Sequence, residues 1–174
     1  MFDRRATTLI KPAITRLARL AVRSGLSANQ LTLSGFVIGV IAALLIATND
    51  YEMGAVALLL SRLCDALDGA AARLTRVTDA GGFLDIALDF LFYASIPLAF
   101  AWSDPARNAL PAAVLLAAFV GTGSSFLAFA VIAAKRGLTS LDYPDKSFFF
   151  LGGLTEATET LTCFVAMCVW PEFF

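Results

Sequence analysis

Four aspartates, Asp65, Asp68, Asp85 and Asp89, lie in two stretches that are otherwise almost continuously apolar. An ionised carboxylate is costly in such surroundings unless it is paired, bound to metal or turned to water. Asp65 and Asp68 are three residues apart and Asp85 and Asp89 four apart, so each pair shares one face of a helix. The polar residues between the stretches, with Gly81-Gly82, suit a tight turn. Two antiparallel helices joined by it would gather four carboxylates with no lysine among them. An all-oxygen cluster of this kind suits hard divalent cations. Salt bridges within a helical bundle are the plainer alternative, but the neighbouring sequence holds too few bases to match four acids.

The length of 174 residues allows one domain. A hydrophobic content of 59% and a mean hydropathy of +0.77 point to an all-α, polytopic membrane protein. There is no histidine, which excludes histidine-ligated zinc and Ser-His-Asp catalysis. Cys64, Cys163 and Cys168 form neither a CxxC nor an even set, so no disulfide framework is expected. A net charge of −1 gives no reason to expect a nucleic-acid partner.

Residues 1–30 are expected to form a basic juxtamembrane segment. Within it Ile10, Ile14, Leu17, Ala18 and Ala21 make one face of a helix among Arg4, Arg5, Lys11, Arg16, Arg19 and Arg23. Such a helix suits the surface of an anionic membrane. Residues 31–174 form the membrane domain, with spans near 31–48, 54–74, 81–101, 109–134 and 147–170 at about 20 residues per crossing. Gly35, Gly39 and Ala43, and again Ala117, Gly121 and Ser125, form ridges of small residues on which helices approach closely. Bases cluster in the N-terminal arm, at Arg73 and Arg76, and at Lys135, Arg136 and Lys146, whereas loops 49–53 and 102–108 hold only Arg107. The asymmetry places the N-terminus, the acidic motif and the 135–146 loop in the cytoplasm. Arg62, one turn before Asp65, is expected to pair with Glu156 or Glu159 of the last span.

The pattern Asp65-x2-Asp68-Gly69-x2-Ala72-Arg73, then Gly81-x3-Asp85-x3-Asp89, resembles the signature of the CDP-alcohol phosphotransferase (CDP-alcohol phosphatidyltransferase) family. Seven residues separate Arg73 from Gly81, one fewer than in the commoner form. Gly121–Ser125 and Lys146–Glu156 resemble a bacterial inner-membrane subgroup, which implies an inner-membrane protein. The resemblance implies transfer of a phosphatidyl or phosphoalcohol group from a CDP-alcohol, CDP-diacylglycerol above all, to an acceptor hydroxyl with release of CMP. It implies a homodimer and two divalent ions, Mg2+ or Mn2+, on Asp65, Asp68, Asp85 and Asp89, with Asp89 as general base. Gly69, Ala72, Arg73, Thr78 and Gly81 would then meet the nucleotide. Asn29 and Thr32, in a stretch similar to the family's Pro-Asn-x-Leu-Thr with Ala28 for proline, would lie near it, though helix capping is an equal reason for them. Lys135, Arg136 and Lys146 would contact an anionic acceptor, or serve only as topology signals. The family has six spans, so this chain is expected to lack a final helix and to end on the periplasmic side. Two other classes share part of the pattern: an aspartate-rich membrane prenyltransferase, and a non-catalytic membrane protein that binds divalent metal or lipid. Neither needs Gly69, Ala72 and Arg73.

Topology gives the first test. With the native cysteines replaced, single cysteines introduced in 49–53 and 102–108 should react with an impermeant maleimide in intact cells, and those in 136–145 should not. The opposite pattern would place the acidic motif outside.

Overall fold

The structure, a computed structural model, describes residues 2–137 and 157–174. Among them all regular structure is helical: α1 Phe2–Arg23, α2 Ala28–Ala47, α3 Tyr51–Leu74, α4 Asp79–Ser103, α5 Pro105–Lys135 and α6 Ala157–Val169, with a 3-10 turn at Pro171–Phe173. Helix starts coincide with side chains that satisfy the first free amides. Ser27 and Gln30 form a capping box before α2: Gln30 N donates to Ser27 Oγ at 3.2 Å, and Ser27 N donates to Gln30 Oε1 at 2.9 Å. Asp50 accepts from Met53 N at 3.3 Å, Thr78 from Gly81 N at 3.0 Å, and Asp104 from Arg107 N at 3.3 Å. Asn49 turns the chain from α2 into α3 with φ of 66°, a left-handed conformation that asparagine tolerates better than most residues.

Helices α2, α4 and α5 are long and apolar enough to cross a membrane. The 24 residues of α3 match them in length, while the acidic motif lowers its hydropathy. These four correspond to the expected spans near 31–48, 54–74, 81–101 and 109–134. The fifth expected span, 147–170, is described only from Ala157, where α6 begins. Within α1, Ala18 is buried while Ile10, Leu17 and Leu20 stay exposed, and the helix packs on α3.

Helix α2 is the hub. It packs closely against both α3 and α4, which have little backbone contact with each other. Small residues permit this approach. A Cβ on Gly35 would stand 3.1 Å from Cys64 Cβ and 3.2 Å from Ser61 O, and one on Gly39 would stand 2.6 Å from the Phe92 ring. The Ser61 hydroxyl donates to Gly35 O at 2.7 Å. Contacts at Gly54–Ile46 and Gly35–Ser61 run α3 antiparallel to α2, whereas Asn29–Gly81 and Gly39–Phe92 run α4 parallel to it. Asn108 donates to Phe100 O at 2.9 Å and Gly123 abuts the Phe90 ring, which makes α5 antiparallel to α4. The result is a groove walled by α3 and α4 and floored by the N-terminal half of α2.

At the other end the groove closes over an apolar core of Ile46, Leu58, Phe92, Ile96, Phe100, Phe164 and Cys168. Rings of Tyr93, Phe119 and Phe164, each about 6.1 Å from the others, join α4, α5 and α6. The two small-residue ridges differ. Gly35 and Gly39 are packed, whereas Ala117, Gly121 and Ser125 are exposed and a Cβ on Gly121 would meet none of the described residues within 4 Å.

Gly39→Ala should therefore destabilise the bundle by about 1–2 kcal/mol, the strain of overpacking less the gain in helix propensity. Gly121→Ala, which has space, should be neutral or slightly stabilising. Thermal unfolding in mild detergent reads both, and equal midpoints would contradict the packing of α2.

Candidate active site

The groove collects most of the residues that the motif singles out. Asp65 and Asp68 lie on α3 and Asp85 on α4, and one carboxylate oxygen from each falls within 4.8 Å of the other two. Oxygens bound to a common Mg2+, Mn2+ or Ca2+ are about 3–5 Å apart, so the spacing suits one shared ion. Asp68 supports the same fit. Asp68 is 5% exposed, and its Oδ2 has no hydrogen-bond partner among the described residues. A buried carboxylate oxygen without a partner is expensive unless a cation completes it.

Asp89 is placed differently. Arg62 Nη1 donates to Asp89 Oδ1 at 2.6 Å and lies 3.5 Å from Asp65 Oδ1. The guanidinium carbon stands 3.8 Å from the centre of the Phe92 ring, a cation–π contact in a water-poor setting. Nη2 lies 3.4 Å from Ser61 Oγ. In place of the expected glutamate of the last span, Arg62 pairs with the motif's own acids. The signal was present in the spacing: Arg62 is i−3 to Asp65, and the aromatic pair Phe92-Tyr93 follows Asp89 by three and four residues. Glu156 lies outside the described residues.

The residues expected near a nucleotide surround the open end. Thr32, 8% exposed, is hydrogen bonded to Ala28 O at 3.0 Å and neighbours the Asp68 carboxylate. Asn29 is brought to α4: a Cβ on Gly81 would stand 3.2 Å from Asn29 Oδ1 and 3.0 Å from Thr78 Oγ1. The capping explanation for these residues goes to Ser27 and Gln30, so Asn29 and Thr32 face the groove for another reason. Thr78 caps α4 by accepting from Gly81 N, and its own hydroxyl proton remains available to donate. On α3 a Cβ at Gly69 would meet, among the described residues, only the Arg73 guanidinium, at 3.4 Å. The arginine thus folds back over the glycine one turn earlier. Ala72 is half-buried on the same helix.

Lys135 and Arg136 close α5 and are exposed. With Gly123 on Phe90 and the helices antiparallel, Lys135 comes level with the start of α4, at the same end of the bundle as the groove. Lys146 lies outside the described residues.

Comparison with known proteins agrees with the geometry. A sequence model described as CDP-alcohol phosphatidyltransferase matches residues 26–170. The chain is 51% identical to inner membrane protein YnjF of Escherichia coli, over 100% of its own length and 84% of the relative's. It is 28% identical to archaetidylinositol phosphate synthase of Pyrococcus horikoshii, covering 94% of this chain and 88% of that one. With archaetidylinositol phosphate synthase of Methanothermobacter thermautotrophicus it shares 41% identity over 83 residues, 47% of this chain and 43% of the relative.

A shared cation at Asp65, Asp68 and Asp85 has a direct consequence. Adding Mn2+ to the purified protein should raise its unfolding temperature, by about 2.7 kcal/mol of stabilisation at a hundredfold excess over Kd. Asp68→Asn should lose that shift, yet be more stable than the parent without metal, because the amide carries no buried charge. An undiminished shift in the variant would remove Asp68 from the site.

Proposed function

Because the chain belongs to the CDP-alcohol phosphatidyltransferase family, we propose that it transfers the phosphatidyl group of a CDP-linked lipid to an acceptor hydroxyl and releases CMP. CDP-diacylglycerol is the proposed donor. The observation that carries the reading is the meeting, in one groove, of three close carboxylates with the open space over Gly69 and the Arg73 guanidinium.

The chain's own groups divide the work by chemistry. Gly69, and Ala72 beside it, leave a flat space on α3 for the cytosine or ribose. Arg73 presents forked donors that fit phosphate oxygens. The Thr78 hydroxyl and the Asn29 amide, both beside Gly81, offer further hydrogen bonds to the nucleotide, with Thr32 on the floor. Asp65, Asp68 and Asp85 would hold Mg2+ or Mn2+, which when bound neutralises pyrophosphate charge. Asp89 has Oδ1 fixed by Arg62, leaving its other oxygen to accept the acceptor's hydroxyl proton. The acceptor oxygen forms a new bond to the phosphatidyl phosphorus, the bond from that phosphorus to the CMP oxygen breaks, and CMP leaves with its electron pair.

An anionic acceptor is part of the reading. Lys135 and Arg136 stand at the groove's end of the bundle, and two relatives are named for making archaetidylinositol phosphate. The asymmetry of bases supports a cytoplasmic active site, where nucleotide-linked substrates are found. A homodimer is also proposed, with the exposed ridge Ala117, Gly121 and Ser125 on α5 suited to a second helix.

The test is CMP release from CDP-diacylglycerol by purified protein, against neutral and phosphorylated alcohols. Turnover is expected with at least one phosphorylated alcohol. Asn at Asp65, Asp68 or Asp85 should lower it by about 100-fold or more, and Asp89→Asn by about 100- to 10,000-fold with nucleotide binding retained. Alanine at Lys135 or Arg136 should raise the acceptor KM and spare the donor KM. Absence of CMP release with every acceptor would overturn the proposal.

A further inference from the structure

The position of Arg62 bears on how many ions this site takes. Two-ion sites place their metals about 3.5–4 Å apart and share carboxylates between them. Here the first ion has Asp65, Asp68 and Asp85 within 4.8 Å of one another. A second would need Asp89, with a shared oxygen of Asp65 or Asp85. On the Asp65 side that position is already filled. Arg62 Nη1 is 2.6 Å from Asp89 Oδ1 and 3.5 Å from Asp65 Oδ1, so one cationic group spans both carboxylates.

Arg62 is also held from behind. Its side chain is 11% exposed, its guanidinium lies 3.8 Å from the Phe92 ring centre and 5.8 Å from that of Tyr93, and Ser61 sits at 3.4 Å. Ser61 is itself fixed to Gly35 O. Withdrawing the guanidinium from Asp65 and Asp89 would leave it among aromatic rings, with Nε already buried and without a hydrogen-bond partner among the described residues. Arginine does not deprotonate to escape that cost. A divalent ion bridging Asp65 to Asp89 would therefore have to displace a buried cation that the Phe92 ring and Ser61 hold in place.

We infer that Arg62 stands in the place of a second divalent ion. Between Asp65 and Asp89 the cation is Arg62, so the ion on Asp65, Asp68 and Asp85 has no neighbour on that side, and Arg62 is a positioning residue that fixes Asp89 for proton transfer. This rests on the metal site of the proposed function and departs from the two ions that the family resemblance implies.

Equilibrium binding of Mn2+ alone to the full chain in detergent, counted by metal analysis and read by electron paramagnetic resonance, tests it. The parent protein should bind one Mn2+ per chain and give the six-line spectrum of an isolated ion. Arg62→Met, which keeps length and apolar packing, should bind two and show exchange broadening, whereas Arg62→Lys should keep one. Two coupled ions in the parent overturn the inference and leave the proposed reaction standing. A folded Arg62→Met that still binds one ion overturns it as well. No Mn2+ binding by the parent overturns both this inference and the metal site beneath it. Should Arg62→Met fail to fold, the parent's count and spectrum decide alone.

Discussion

Everything at the open end of this bundle depends on compensating carboxylates in a medium that solvates charge poorly. Helix α3 carries Asp65 and Asp68 at depths where its neighbours α2, α4 and α5 are apolar enough for lipid. A buried ion pair is weak evidence of stability, but removing one partner of such a pair is strongly destabilising. Arg62 is thus tied to Asp89 and Asp65 by the cost of separating them. The tie also has a mechanical role, since α3 and α4 have little backbone contact and the Arg62–Asp89 bond at 2.6 Å bridges them across the groove.

The groove exists because α2 is thin where it must be. Gly35 and Gly39 let α3 and α4 settle on the same helix, and Ser61 Oγ to Gly35 O at 2.7 Å locks the crossing. Without side chains at those positions the two walls come near enough for acids from different helices to share an ion. One turn toward the open end, Thr32 reaches the Asp68 side. Packing and chemistry are therefore set by the same short run of α2.

Much of this was legible in the sequence, and for physical reasons. Helix class, span positions and the pairing of acids follow from period and hydropathy, which are local properties. Helices α2 and α4 start two to three residues before the expected 31 and 81, because the side chains of Ser27 and Thr78 cap them. What the sequence did not disclose is where non-local contacts fall. Arg62 could pair with any acid at its depth, and only the lateral order of the helices chooses Asp89 and Asp65. Asn29 and Thr32 carried two equal explanations until Ser27 and Gln30 were found to form the cap. The ridges Gly35–Gly39 and Ala117–Ser125 read alike on paper, yet one is packed and the other open, since spacing alone does not name a partner.

The parallel course of α2 and α4 has one more effect. Each helix carries roughly half a positive elementary charge at its N-terminus, and here two such termini stand together, where Asn29 and Thr78 both approach Gly81. Like poles side by side in a poorly solvating medium repel. An anion seated between them converts that repulsion into attraction from both sides at once. The entrance to the groove is thus electrically asymmetric before any ion binds: backbone dipoles draw negative charge to the rim, while the carboxylates behind it draw positive charge inward. A ligand that is itself a phosphate carrying a metal ion matches both demands in a single orientation.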